Sequence, residues 1–276
     1  MTARIAHLSD VHFGRIADLR IVDALVGEVN AAGMDLVVVS GDLTQRARTH
    51  QFTAAKAMLD AFSAPVLVVP GNHDVRAWWH NPFERVFYPM SRYRRFISDD
   101  VTPAFARPGL AAFGLNSAHG RTIKGGKVRA HDLDAMRAFF EAQPAGTFRV
   151  LVVHHHLRRL EALGAHDVAQ NAHRALEAAG AVGVDLILCG HLHTSHVAHV
   201  EVVPPSEANP DGHRIVIASA GTATSSRGRG PDRQVNFYNW ITVEAGRFVV
   251  EERRYDPAAG RFAKEREAAF VRAVDG

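Results

Sequence analysis

The chain has 276 residues, 47% hydrophobic and 22% charged, with a net charge of +3 and a sequence pI of about 9.3. That balance is ordinary for a soluble globular protein, and the chain is long enough to bury a substantial core. The single cysteine, Cys189, excludes an internal disulfide. No stretch approaches the roughly 18 apolar residues of a membrane-spanning helix, so a cytoplasmic protein is expected.

In chain order, short runs rich in Val, Ile and Leu predict strands at Ile5 to Leu8, Leu36 to Ser40, Val66 to Val69, Leu110 to Leu115, Val150 to Val153, Leu186 to Cys189 and Ile215 to Ala218. Runs of this kind suit strands buried on both faces of a sheet. Helical spacing lies between them. Leu19, Val22, Val26 and Val29 mark one face, and Phe52, Ala55, Met58, Leu59 and Phe62 a second, with Pro65 to stop it. Leu133, Met136, Phe139 and Phe140 mark a third helix, and Val168 to Ala179, stopped by Gly180, a fourth. Strand alternating with helix predicts an α/β layered domain, read as one unit over 1–276. Near the end, Asn236 to Val243 and Phe248 to Tyr255 predict an antiparallel hairpin (236–255). Three stretches lack a period and predict site-shaping loops: Arg76 to Asp100 (a cap-like segment, 76–100), Pro204 to Gly212, and Thr222 to Asp232.

Five polar motifs follow predicted strands: Asp10-Val11-His12, Gly41-Asp42, Gly71-Asn72-His73-Asp74, His154-His155-His156 and Gly190-His191-Leu192-His193. Ligands of open α/β sheets bind beyond the carboxyl ends of strands, so these motifs can converge. In an extended segment positions i and i+2 share a face, which pairs Asp10 with His12 and His191 with His193. Gly41, Gly71 and Gly190 each precede a candidate ligand, where a missing Cβ would let backbone and ion approach. Two divalent ions about 3.5–4 Å apart need a bridging ligand, and Asp42, alone after its strand, fits that place. Carboxylates, imidazoles and the one amide oxygen of Asn72 suit Mn, Fe or Zn rather than an all-oxygen Ca site or a thiolate Zn site. A bridging hydroxide would attack phosphorus. His73 would assist the leaving group, with Asp74 orienting its ring.

This ordered set resembles the calcineurin-like metallophosphoesterases over roughly Ile5 to Thr222, and its catalytic blocks look most like the bacterial cyclic-nucleotide phosphodiesterase and glycerophosphodiesterase branch. The resemblance implies a four-layer αββα sandwich. It implies a first metal on Asp10, His12, Asp42 and His193, and a second on Asp42, Asn72, His154 and His191, with His73 as the acid or transition-state contact. The family often has His-His-Pro where this chain has His154-His155-His156-Leu157. His154 is assigned by ungapped matching to the strand end, with His155 as the alternative.

Taken singly, each motif has a plainer reading: Gly-Asp and Gly-Asn pairs are usually turns, and the triple histidine a metal-sticky tract. Trp78 and Trp79 read as packing more readily than as a base-stacking platform. Arg227 and Arg229 are candidate phosphate contacts, although Arg-Gly loops are commonly just solvated. The expected partner is a small phosphoester, possible substrates being cyclic nucleotides or glycerophosphodiesters. The mild basic charge does not by itself argue for nucleic acid. The alternatives are a nuclease or lipid-precursor pyrophosphatase of the same fold, and a non-catalytic scaffold. No motif bears on oligomeric state.

Overall fold

Alternate side chains of β1 (Ala3–Leu8) and β2 (Leu36–Val39) enter two different apolar layers. Ile5, Leu36 and Val38 point one way; Ala6, Leu8, Val37 and Val39 point the other. A sheet with both faces apolar must be covered on both sides, and the rest of the chain does this. The computed structural model describes residues 2–122, 125–164, 166–203, 213–228 and 232–272. The predicted loop Pro204 to Gly212 and the candidate Arg229 lie outside the described residues.

Two six-stranded mixed sheets stack face to face. The first contains β1, β2, β3 (Val66–Val68), β10 (Phe237–Val243), β11 (Arg247–Asp256) and β12 (Arg261–Val271), ordered β12-β11-β10-β1-β2-β3. The second contains β4 (Ala104–Arg107), β5 (Leu110–Leu115), β6 (Phe148–Val153), β7 (Leu186–Cys189), β8 (His196–Val203) and β9 (His213–Ser219), ordered β4-β5-β6-β7-β9-β8. Ile5, Val38 and Leu67 of the first sheet meet Val150, Val152 and Leu188 of the second in the central layer. On the outer face of the first sheet lie α1 (Leu19–Ala31) and α2 (Thr49–Asp60), through Leu25, Val29, Phe52 and Met58. The outer face of the second is covered by α5 (Ala130–Glu141) and α6 (Ala172–Ala181), through Leu133, Met136, Phe140 and Ala175. The layers are therefore helix, sheet, sheet, helix. No helix among the described residues is long and apolar enough to cross a membrane.

Several sequence expectations need correction. The buried face of α1 is Ile21, Leu25 and Val29, while Leu19 is 67% exposed. Aliphatics occur on more than one side of this helix, so periodicity alone did not fix its phase. Helix α6 begins at Ala172 rather than Val168, runs past Gly180, and ends before Gly183, which takes a positive φ of 62°. The segment 76–100 contains two short helices, α3 (Pro82–Phe87) and α4 (Ser91–Phe96). The late hairpin, β10 with β11, gains a third strand because β12 pairs along the whole of β11.

Candidate metal centre

All five motifs lie beyond the carboxyl ends of their strands, where the two sheets meet. Backbone bonds tie the strand ends together: the Asp10 N–H donates to the Gly41 carbonyl (3.1 Å), the Gly190 N–H to the His154 carbonyl (3.1 Å), and the Ala223 N–H to the Ser9 carbonyl (3.0 Å).

The ligand pairs do not arise from extended backbone. Asp10, His12, Asp42, His191 and His193 all have positive φ, between 52° and 70°. Such conformations cost non-glycine residues about 1–3 kcal/mol each and cluster at functional sites. The glycines also act differently from expectation, by making room for ligand side chains. A Cβ on Gly71 would lie 2.3 Å from the Asp42 backbone nitrogen, and one on Gly190 would lie 1.7 Å from Ser9 Oγ and 2.6 Å from Asp10 Oδ2.

Asp10, His12, Asp42 and His193 are buried and converge, with one donor atom from each lying within 4.8 Å of the others. His12 Nε2 is 3.5 Å from both Asp10 Oδ1 and Asp42 Oδ2, and His193 Nε2 is 3.4 Å from Asp10 Oδ1. The second oxygen of each carboxylate is already engaged. Asp10 Oδ2 accepts from Ser9 Oγ (2.7 Å) and the His191 N–H (2.9 Å), and Asp42 Oδ1 accepts from the His73 N–H (2.8 Å). Asp10 Oδ1, His12 Nε2 and Asp42 Oδ2 are left buried without a hydrogen-bond partner. Orphaned polar atoms facing one point are costly unless a cation sits there. Ligands at bonds of about 2.1 Å to a common ion lie roughly 3.0–3.4 Å apart, so these separations fit a bound metal.

A second convergence lies on the far side of Asp42. His154 Nδ1 donates to the Ser40 carbonyl at 2.7 Å, which directs its Nε2 at the site. That nitrogen is 3.2 Å from Asn72 Oδ1 and 3.4 Å from Asp42 Oδ1. Without an ion the Asp42 and Asp10 carboxylates lift the His154 pKa to about 9 against the pull of burial, so Nε2 holds a proton here, in the place a cation would take. His154, His155 and His191 also form a group that could hold a metal ion. His155 Nδ1 is engaged at 2.8 Å by Ser117 Oγ, a partner no sequence motif advertises.

Charge follows the same logic. Burial alone would raise the carboxyl pKa values, but imidazoles outweigh it and hold both groups below the usual range: His193, His12 and His154 around Asp10, and His154, His73 and His12 around Asp42. Burial pushes His191 down to about 3 and His193 to about 4, keeping them neutral as metal ligands must be.

His73 and Asp74 do not form the expected pair. The Asp74 carboxylate accepts from the N–H groups of Leu43 (3.2 Å), Thr44 (2.9 Å) and Gly71 (2.9 Å) and from Thr44 Oγ1 (3.0 Å), so it braces the loop that carries Asp42. The His73 ring is oriented by the Gln45 carbonyl, which accepts from Nδ1 at 2.9 Å. Its Nε2 then accepts from Arg227 Nη1 at 2.9 Å. Burial lowers the His73 pKa, with the nearby Asp42 charge opposing. Trp79 is not packed against the core. It is 70% exposed, with the Arg46 guanidinium over its ring at 5.2 Å. Trp78 and Trp79, with Asn72, His73, Arg85 and Arg227, line a cavity of about 220 Å³ beside the site.

Comparison with known proteins agrees with this geometry. The family model for calcineurin-like phosphoesterases matches residues 3–195. The chain belongs to that family. Among curated relatives, the chain is similar to glycerophosphodiester phosphodiesterase GpdQ of Enterobacter lignolyticus, 33% identical over 84 residues, or 26% of this chain and 30% of that protein. It is also similar to 3′,5′-cyclic adenosine monophosphate phosphodiesterase CpdA of Haemophilus influenzae, 25% identical over 162 residues, or 58% of this chain and 54% of that protein. The matched stretches thus span about a third and about half of those relatives. A purple acid phosphatase from yellow lupin superposes with a TM-score of 0.68 at 12% identity, covering 99% of this chain and 54% of its own, which is a likeness of fold.

Proposed function

We propose that the protein is a dinuclear metal-dependent phosphodiesterase. Asp10, His12, Asp42 and His193 would hold one ion, and Asp42, Asn72, His154 and His191 the other. The observation that carries this reading is the placement of Asp42. Its Oδ2 faces His12 of the first group at 3.5 Å and its Oδ1 faces His154 of the second at 3.4 Å, as a bridging carboxylate must. His154 is preferred to His155 because its Nε2 meets both Asp42 and Asn72. A donor set of carboxylate, imidazole and one amide oxygen suits Mn, Fe or Zn. Cys189 takes no part, since burial pushes its thiol pKa up. Two such ions would lower the pKa of a water nucleophile and neutralise phosphoryl charge.

The chain's own residues would do the rest. Gln45 fixes the His73 tautomer, and the His73–Arg227 pair presents guanidinium N–H donors beside the ions, where they would offset charge on the departing alkoxide. Asp74 serves this arrangement by holding the Asp42 loop. The segment 76–100 acts as a cap, its Trp78 and Trp79 walling the cavity that would take the organic part of a small phosphoester. The names of the two bacterial relatives support a diester over a monoester, with glycerophosphodiesters and cyclic nucleotides as first candidates. The test is hydrolysis of bis(p-nitrophenyl) phosphate, p-nitrophenyl phosphate and cyclic AMP by stripped and Mn²⁺-reconstituted protein. Metal-dependent cleavage favouring a diester supports the reading, and absence of any metal-dependent turnover contradicts it.

A further inference from the structure

The cleft continues past Arg227 into a second cavity of about 410 Å³ that shares Gln45, Arg46 and Arg227 with the first. Four arginines line it, Arg15, Arg46, Arg48 and Arg227, and no carboxylate does. Among the described residues none of Arg15, Arg46 and Arg48 joins an ion pair. Gathering like charges around a hollow is unfavourable for the fold alone, and it creates a positive potential that concentrates anions.

The backbones that carry the arginines are held in place from behind, while the side chains of Arg15, Arg46 and Arg48 are exposed. Their three loops also carry Asp10 and His12, Asp42, and Arg227, and backbone bonds lock these loops to one another. The Ser226 N–H donates to the Arg15 carbonyl (3.0 Å), the Ala17 N–H to the Thr224 carbonyl (2.9 Å), and the Gln45 N–H to the Phe13 carbonyl (2.9 Å). Buried Gln51 accepts from the Arg46 N–H at 2.9 Å and the Arg48 N–H at 3.4 Å. Gly14 takes φ of 102°, and a Cβ there would lie 2.1 Å from the Gln51 side-chain nitrogen, so this glycine lets the Arg15 loop close on its neighbour. Arg46 is further steadied by Trp79. The volume falls within the usual range for small-molecule sites, about 300–1,000 Å³. Guanidinium groups are the side chains best matched to phosphate, through paired N–H donors.

We propose that this cavity is a second anion subsite, and that the substrate is a phosphodiester whose organic part carries a further phosphoryl group. The proposal rests on the phosphodiesterase reading above. The scissile phosphate would lie at the paired metal groups, with the second phosphate reached past Arg227 among Arg15, Arg46 and Arg48.

Two chromogenic esters isolate the effect: the 5′-p-nitrophenyl ester of thymidine 3′,5′-bisphosphate, and the same ester of thymidine 5′-monophosphate. The metal-loaded protein should show kcat/KM about 10-fold higher for the bisphosphate, the scale of one or two charge-assisted contacts. Arg15→Ala/Arg48→Ala should collapse that preference, as should high salt. Arg137→Ala, a half-buried position on α5 under the other sheet, should keep it. Equal rates on the two esters, or a preference that the double variant retains, would overturn the proposal. So would a gain that appears only with oligothymidylates and grows with their length, since that would indicate a nucleic-acid track. If neither ester is hydrolysed, the phosphodiesterase reading fails while the subsite stays testable by calorimetry. A roughly 10-fold lower Kd for thymidine 3′,5′-bisphosphate than for thymidine 5′-monophosphate supports it, and equal Kd values overturn it.

Discussion

Stripping the metals and raising the pH should destabilise the protein through His154. In the ion-free site burial pulls this imidazole down, but the Asp42 and Asp10 carboxylates outweigh burial and lift its pKa from 6.5 to about 9. A histidine whose folded pKa exceeds its unfolded value contributes stability that is fully present below pH 6.5 and lost as pH rises through about 9. The lift corresponds to about 3 kcal/mol, or roughly 6 °C in Tm for a chain of this size. With ions bound, the Nε2 lone pair is occupied and this loss should vanish. Most other buried groups act outside the window. The exception is Cys189, whose thiol pKa is pushed up from 9.0 by burial, so its ionisation in the unfolded chain adds a smaller loss near the upper edge. Asp74, raised to about 6 by burial and by Asp42, completes most of its ionisation below it. His7, His191 and His193, held at about 3, 3 and 4 with burial the leading cause, lower stability only as pH falls below 6.5. Thermal unfolding followed by circular dichroism between pH of about 6.5 and 9.5, with and without chelator, reads the effect. A stripped protein whose Tm stays flat, or whose fall between pH of about 6.5 and 8.5 survives in His154→Asn, would refute the reasoning.

Other substitutions separate the roles within the site. Asp42→Ala removes the carboxylate proposed to bridge the ions and should abolish diester hydrolysis and lower bound metal, as measured by elemental analysis and p-nitrophenolate release. His73→Ala should leave both ions bound while slowing alkyl diesters by roughly 10²-fold or more and aryl esters less, because a good leaving group needs less help; equal slowing of both would count against a leaving-group role. Gly190→Ala forces a Cβ toward Ser9 Oγ and Asp10 Oδ2, so it should destabilise by about 1–3 kcal/mol and weaken the first metal site selectively; unchanged metal affinity would show that the crowding is absorbed elsewhere.

The convergence of the candidate motifs is legible in the sequence because its information is local. Each ligand motif follows a buried aliphatic run, so strand ends alone bring Asp10, Asp42, Asn72, His154 and His191 to one edge. What stayed hidden is carried by backbone atoms or by conformation. The Ser40 and Gln45 carbonyls orient His154 and His73, yet a carbonyl has no residue signature. The positive φ values of Asp10, His12, His191 and His193 replace the extended geometry that their spacing suggests. Helices α3 and α4 have six residues each, too few for an apolar period to register. Strand β12 escaped notice because Lys264, Glu265, Arg266 and Glu267 interrupt its apolar residues. That pattern fits the outer strand of a sheet, where charges discourage pairing with another chain. The arginine-lined cavity draws on loops after three different strands, and only the fold assembles it.

The claim on which all this turns is that Asp42 bridges two ions in each chain. Stripped protein should be titrated with Mn²⁺ while bound metal is counted by mass spectrometry and bis(p-nitrophenyl) phosphate hydrolysis is followed in the same samples. Two ions per chain, with hydrolysis reaching its plateau only as the second binds, is the predicted result. A plateau reached with one ion, or turnover that persists in the chelated protein, would contradict it.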